Sequence, residues 1–279
     1  MKTVRLHDGT PEGRRVPALG QGTWHMGEAS ANRQAEVAAL RQGLDLGLTL
    51  IDTAEMYADG GAETVVAEAI AGRRDEVFLV SKVYPHNAGG TKLVAACDRS
   101  LKRLKVERID LYLLHWRGGI PLAETVAGMR RLQQQGKIGL WGVSNLDVED
   151  LEELGSSLPD CAANQVLYNL QARGTEYDLL PFCRQRDMAI MAYTPIGQGS
   201  LLGKPAVRAV AARHGASPAQ VAIAWTLRTP GVISIPKASR AEHVHDNAKA
   251  AGLTLTPEDL AELDAAFPPP RRKRPLEML

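Results

Sequence analysis

Cysteine is scarce in this chain, and its three copies, Cys97, Cys161 and Cys183, are widely spaced with no C-x-x-C pair. An odd, scattered set excludes a disulfide framework and a cysteine-bound zinc, and leaves the thiols as small core residues. Long apolar runs are lacking as well. No stretch approaches the length of a membrane span, and the opening Met1-Lys2-Thr3-Val4-Arg5-Leu6-His7-Asp8 has no apolar segment of signal-peptide length, so the expected location is the cytoplasm. Nor does one sign of charge dominate: 33 Lys and Arg stand against 32 Asp and Glu, a net charge of +1. That balance gives no broad electrostatic footprint for nucleic acid or a membrane surface. The single charge run, Arg271-Arg272-Lys273-Arg274 after Pro268-Pro269-Pro270, reads as a solvated tail rather than an address or a nucleic-acid patch.

Several motifs are missing too. No G-x-G-x-x-G opens a helix after a first strand and no Walker A lysine pattern occurs, which argues against a Rossmann fold and a nucleotide hydrolase. His243-Val244-His245 has no third ligand at a suitable spacing, so the pair decorates a helix and no metal is expected. No Gly/Ser tract or charge block separates two halves, so one domain over residues 1–279 is the simplest organisation.

What is present is a regular alternation of short apolar runs with segments of helical period, the signature of parallel βα units. The strand candidates are residues 19–23, 49–53, 77–83, 111–115, 138–143, 164–168, 189–193 and 232–236, as many as a closed barrel needs. Between them, spacings such as Leu93, Cys97, Leu101 and Leu104 put apolar groups on one helix face. Ser217-Pro218-Ala219-Gln220 and Thr256-Pro257-Glu258-Asp259 each place a hydroxyl at the N-cap, proline at N1 and a capping-box residue at N3. Residues 4–16, with Asp8-Gly9-Thr10-Pro11 and Glu12-Gly13 as turn formers, predict a hairpin. The expected fold is therefore an α/β protein, a single (β/α)8 TIM barrel with an N-terminal β-hairpin closing the barrel floor.

Barrel enzymes work at the C-terminal ends of their strands. Three neighbouring runs end in Asp52-Thr53-Ala54-Glu55-Met56-Tyr57, Val80-Ser81-Lys82 and Leu113-Leu114-His115-Trp116. An acid, a phenol, an amine and an imidazole thus gather at one face. Taken singly, each reads equally well as a satisfied core polar group; four together point to chemistry.

These segments resemble the D-T-A-x-x-Y, V-S-K and L-x-H-W motifs of the aldo-keto reductase family, and the likeness covers nearly the whole chain. It begins at Leu19-Gly20-Gln21-Gly22-Thr23-Trp24 and continues through Trp141-Gly142-Val143-Ser144-Asn145, Asn164-Gln165, Tyr193-Thr194-Pro195-Ile196-Gly197-Gln198-Gly199 and Ile235-Pro236-Lys237, with Asn247 downstream. The resemblance implies a catalytic tetrad of Asp52, Tyr57, Lys82 and His115, with NADPH as cofactor and NADH possible. It places Ser144, Asn145 and Gln165 at the nicotinamide carboxamide and Tyr193 against the nicotinamide ring. Thr194, Pro195, Ile196, Gly197 and Gln198 then follow the pyrophosphate, and Thr23, Trp24, Ile235, Pro236, Ser239 and Asn247 complete the cofactor set. Trp24, Tyr84 and Trp116 are expected to wall the substrate pocket. Where many members carry an arginine for the adenosine 2′-phosphate this chain has His243. A reduced NADPH preference is therefore expected, carried by Lys237 and Arg240 and stronger at about pH 6 than at about pH 8.

The chemistry of such a tetrad follows from carbonyl reduction, which needs hydride at carbon and a proton at oxygen. A phenol with a pKa of about 10 is a poor acid, and lowering it to about 7 with the Lys82 cation takes roughly 4 kcal/mol. Asp52 is expected to keep Lys82 charged, and His115 to join Tyr57 in stabilising the developing oxyanion. Two other functions share the fold: a cofactor-binding redox-sensing or regulatory subunit, and an isomerase or aldolase working through a Lys82 Schiff base. Short loops such as Arg117-Gly118-Gly119-Ile120-Pro121 predict an open pocket for small reactive or aromatic aldehydes, methylglyoxal first among them. The resemblance implies a monomer, with no nucleic-acid or membrane partner.

Overall fold

A computed structural model describes residues 2–10 and 12–279, so Met1 and the turn former Pro11 lie outside the described residues. Two antiparallel strands open the chain, β1 (Thr3–Leu6) and β2 (Arg14–Pro17), with Val4 opposite Val16. Eight parallel strands follow: β3 (Gln21–Gly22), β4 (Leu50–Asp52), β5 (Phe78–Val83), β6 (Ile109–Leu114), β7 (Ile138–Ser144), β8 (Ala163–Leu167), β9 (Ala189–Tyr193) and β10 (Val232–Ser234). They pair in sequence order from β3 to β10. The ring closes where β10 returns to β3, through Gly20 N–H to Ser234 O at 2.9 Å, Ser234 N–H to Ala18 O at 2.8 Å and Gly22 N–H to Pro236 O at 3.0 Å. Each of the eight expected strands is present within a few residues of its predicted ends.

The helices are α1 (Arg33–Asp45), α2 (Gly61–Ala69), α3 (Gly90–Leu104), α4 (Leu122–Gln134), α5 (Val148–Glu152), α6 (Leu179–Gln185), α7 (Pro205–Arg213), α8 (Pro218–Leu227), α9 (Ala241–Lys249) and α10 (Pro257–Ala266). Their apolar faces join the outward-facing strand residues in a cluster that includes Leu93, Cys97, Leu104, Tyr112 and Trp141. Both predicted helix starts hold, with a difference. Thr256 and Asp259 exchange the two bonds of a capping box at α10. At α8 Ser217 accepts from the Gln220 amide, but the Gln220 side chain turns to Asp246 of α9 instead of back to the cap. A tertiary carboxylate outcompetes the local acceptor because it is charged.

Inward-facing residues form a second cluster in which Val4, Leu6 and Val16 of the hairpin meet Leu50, Phe78, Leu111, Leu140, Ala163, Ala189 and Ile233. The hairpin thus plugs the barrel from the end where its strands begin, as predicted. Gly13 turns it at φ +60°, where a Cβ would come within 2.6 Å of the Leu6 carbonyl oxygen, so only glycine lets the strands meet. The three cysteines are buried and free.

Leu6 is fully buried in that plug. Leu6→Ala is expected to lower the unfolding free energy by about 2–5 kcal/mol, measured by urea denaturation, with the rate constant of the folded fraction unchanged. A loss below about 1 kcal/mol would mean that the hairpin contributes little to the barrel floor.

Candidate active site

The end of the barrel opposite the hairpin carries the polar groups. Asp52 ends β4, Lys82 lies in β5, and His115 follows β6, its amide still bonded to Val83 O at 3.0 Å. Tyr57 sits in the turn from β4 to α2. That turn is strained: Ala58, Asp59 and Gly60 are all left-handed, at φ 51°, 50° and 85°. Each non-glycine residue held so costs about 1–2 kcal/mol. At Gly60 a Cβ would lie 2.3 Å from Arg103 Nε, and Arg103 in turn bonds the fully buried Glu63 of α2 at 2.6 Å.

Lys82 is wholly buried and its ammonium spends its donors on three acceptors: Asp52 Oδ2 at 2.8 Å, Thr53 O at 2.9 Å and Tyr57 Oη at 3.2 Å. Burial works against its charge, yet the Asp52 carboxylate and Tyr57 outweigh that cost and its pKa rises. Lys82 is therefore a fixed cation and not the free amine that a Schiff base requires. For Tyr57 the balance corrects the sequence expectation. Burial, the largest effect, raises its pKa; Lys82 pulls it down, but Asp52 pushes the same way as burial, and the net direction is up. Tyr57 is a protonated phenol, not a half-ionised one. His115 is pushed down to about 2 by burial and then by Lys82, so its imidazole is neutral. Its ring meets that of Tyr57 edge-on, centroids 5.8 Å apart.

Asp52, Tyr57 and His115 form the floor of a cavity of about 550 Å³, with Lys82 buried beneath them. Its wall includes the predicted Thr23, Trp24, Trp116, Ser144, Asn145, Gln165, Tyr193, Thr194, Pro195, Ile196, Gln198, Ile235 and Lys237. Asn145 donates to His115 O at 3.2 Å and accepts from the Tyr193 hydroxyl at 3.0 Å. Gly197, Pro236, Ser239, Arg240, His243 and Asn247 are not part of the wall. Arg240 and His243 lie on the surface at the start of α9, where Arg240 donates to His243 Nε2 at 2.6 Å and pairs with Glu242. Tyr84 also stays outside: it stands edge-on to Trp116 at 5.9 Å and backs that wall. Glu55 fixes it, accepting from the Tyr84 amide at 2.8 Å.

A sequence profile of the Aldo/keto reductase family matches residues 18–267. The chain belongs to that family. A methylglyoxal reductase of Escherichia coli (strain K12) is 54% identical over 272 residues, covering 95% of each chain. A glyoxal reductase of Bacillus subtilis (strain 168) is 32% identical and covers 94% of this chain and 92% of its own. A crystal structure of an aldo/keto reductase from Klebsiella pneumoniae in complex with NADP and acetate matches with a TM-score of 0.96 at 53% identity, covering 100% of this chain and 99% of that one.

The tail of this aldo/keto reductase departs from the sequence reading. Residues 271–275 are exposed as expected, but the tail does not run free: Lys273 lies within 3.3 Å of Asp147, 3.6 Å of Glu149 and 3.3 Å of Asp178, and Leu276 packs on the core. So pinned, the chain carries Met278 and Leu279 to the cavity wall. His25 and Met56 line the cavity as well. Both adjoin motif residues, Trp24 and Tyr57, a proximity that could have pointed to them; Met278 and Leu279 carried no such signal.

Asp52 and Lys82 are each about fully buried, with 2.8 Å between their charges. Removing one strands the other, which costs about 3–5 kcal/mol in a buried pair. Asp52→Asn and Lys82→Met are each expected to depress kcat strongly, with the double variant scarcely worse than the poorer single one, thermal melts confirming folding. Strict additivity would show that the two do not act as a unit.

Proposed function

We propose that this aldo/keto reductase is an NADPH-dependent carbonyl reductase that converts small reactive aldehydes, methylglyoxal first among them, to alcohols, with Tyr57 as proton donor. The observation that carries the reading is the Tyr57 hydroxyl, protonated by its surroundings, 3.2 Å from a fixed ammonium at the floor of an aromatic-walled cavity.

The cavity fits the cofactor. Ser144, Asn145 and Gln165 offer hydroxyl and amide groups suited to a carboxamide, and Lys237 in the wall, with Arg240 beyond it, offers cations for phosphate. When bound, the nicotinamide supplies hydride to the carbonyl carbon. Tyr57 gives its proton to the carbonyl oxygen, and Lys82 stabilises the phenolate left behind. Neutral His115 stands beside Tyr57 without bringing a competing charge, which leaves the single cation of the floor aimed at the phenol.

Substrate choice follows from the walls. Trp24, Trp116, Met56, Met278 and Leu279 present apolar surface, so a small carbonyl compound is favoured over a bulky or highly charged one. The relatives that reduce methylglyoxal and glyoxal support the same size class. A regulatory subunit without turnover would not need a buried Asp52–Lys82 pair held against Tyr57. The free, buried cysteines support a cytoplasmic site of action, and no helix among the described residues is long and apolar enough to cross a membrane. A monomer is supported by the few large apolar side chains that are exposed, Tyr177, Leu202, Met278 and Leu279.

NADPH consumption is expected with methylglyoxal and with simple aromatic aldehydes, and Tyr57→Phe is expected to lower kcat at least about a hundredfold while NADPH affinity stays nearly unchanged. Turnover of a bulky steroid but of no small aldehyde would sink the substrate assignment. Because the donor must carry its proton, the rate falls only as pH rises through the Tyr57 pKa. The alkaline limb of kcat is therefore expected above about pH 10, and a limb near neutrality would contradict the raised pKa.

A further inference from the structure

Gln165 holds two sides of the site at once. Its backbone carbonyl accepts from the Asn145 amide at 2.8 Å and from the Ser144 hydroxyl at 2.9 Å. Its side chain crosses the barrel mouth from β8 to β4, where Nε2 donates to Asp52 Oδ1 at 2.7 Å, a contact between residues 113 apart in sequence. Asp52 thus has one oxygen on Lys82 and the other on Gln165, and the chain of contacts runs Gln165, Asp52, Lys82, Tyr57. The direction of the amide is dictated chemically, since a carboxylate paired with an ammonium only accepts, so the –NH2 end faces it. Gln165 is 1% exposed and still lines the cavity.

We infer that Gln165 is a positioning residue for proton transfer: its amide N–H fixes the Asp52 carboxylate, and through it the ammonium that holds Tyr57. This deepens the proposed function and rests on that reading of Tyr57 as the acid. A carboxylate held by one partner alone can rotate about χ2 and pull the ammonium off the line to the phenol; the second donor removes that freedom. Lys82 has no spare donor to correct such a shift, because all three are engaged.

The inference separates donation from acceptance. A glutamine that serves only to accept a bond from a bound carboxamide can be replaced by glutamate, whose oxygens accept equally well. One that donates to Asp52 cannot, because two carboxylates in one site repel unless they share a proton. The titratable groups that line the cavity are His25, Asp52, Tyr57, His115, Tyr193 and Lys237, with Lys82 buried behind Asp52 and Tyr57, and of these Asp52 is the one bonded to the Gln165 amide among the described residues.

The test uses the whole enzyme with methylglyoxal at saturating NADPH, and compares Gln165→Glu, Gln165→Met and the parent between about pH 5.5 and about pH 8.5. NADPH affinity is followed separately by fluorescence titration with NADPH alone. Gln165→Glu is expected to bind NADPH within about threefold of the parent. Its kcat should approach the parent value at the acid end, where the pair shares a proton, and fall at least about tenfold further than the parent as pH rises. Gln165→Met, which neither donates nor ionises, is expected to lose kcat about tenfold at every pH. A Gln165→Glu variant whose kcat tracks the parent at all pH values, or a Gln165→Met variant with parental kcat, overturns the inference. Melting temperatures are recorded over the same range, where only Gln165→Glu should lose Tm relative to the parent as pH rises. A parent that reduces no aldehyde with NADPH refutes the functional reading alone, and the Tm comparison still decides the Gln165–Asp52 contact.

Discussion

A fully buried ammonium is the constraint around which the active end of this barrel is arranged. Lys82 cannot remain charged in a dry interior without acceptors on all three of its protons, and it has them in Asp52, Thr53 and Tyr57. Two of the three come from β4 and its extension, so the register of β4 against β5, in which Asp52 pairs with Val80, is what brings them within reach. The opposite face of β5 is held as firmly. Ser81, which alternation turns outward, donates to Glu63 of α2 at 2.7 Å, and Arg103 of α3 completes that carboxylate. Strand β5 is thus locked on both faces, one by the Asp52–Lys82 ion pair and one by the buried Ser81–Glu63–Arg103 contacts.

The electrostatics of the floor follow from the same pair. Asp52 neutralises Lys82, and that limits how far the cation can acidify Tyr57; the phenol keeps its proton because burial then prevails. His115 faces the opposite consequence, since burial and the Lys82 charge both favour its neutral form. One cation therefore yields a neutral acid and a neutral imidazole side by side. That arrangement suits reduction, where the proton must be present when hydride arrives.

Much of this was readable from the chain alone, and the reason is local. Barrel strands of two to seven residues lie within apolar runs that show themselves in the sequence, and Asp52, Tyr57, Lys82 and His115 sit at or just after the ends of those runs. What the sequence hid depends on distance and burial. Gln165 and Asp52 meet across 113 residues, and nothing in either segment points to the other. The direction of the Tyr57 shift depends on how much protein surrounds it, which no motif records. Tyr84 adjoins a motif and yet stands behind Trp116, because Glu55 anchors its backbone away from the cavity. The basic tail looked solvated since its sequence is proline-rich and charged; its docking comes from carboxylates near α5 and α6 that only the fold gathers around Lys273.

Backbone strain is distributed in keeping with this division. Among the described residues eight non-glycine residues have left-handed φ values, and His25, Asn145, Thr194 and Gln198 among them line the cavity, while Ala58 and Asp59 follow Tyr57 directly. Thr194 is the most demanding, because a β-branched side chain at φ 53° crowds its own backbone. Its carbonyl is held by Asn169 Nδ2 at 2.9 Å. Such conformations persist only where the surroundings over-determine them. Here the closed ring of strands, plugged at its far end by the hairpin, supplies that rigidity. The opposite end can therefore carry turns that re-aim Tyr57, Asn145 and the loop after β9 toward one cavity, at a conformational cost that the packed floor of the barrel offsets.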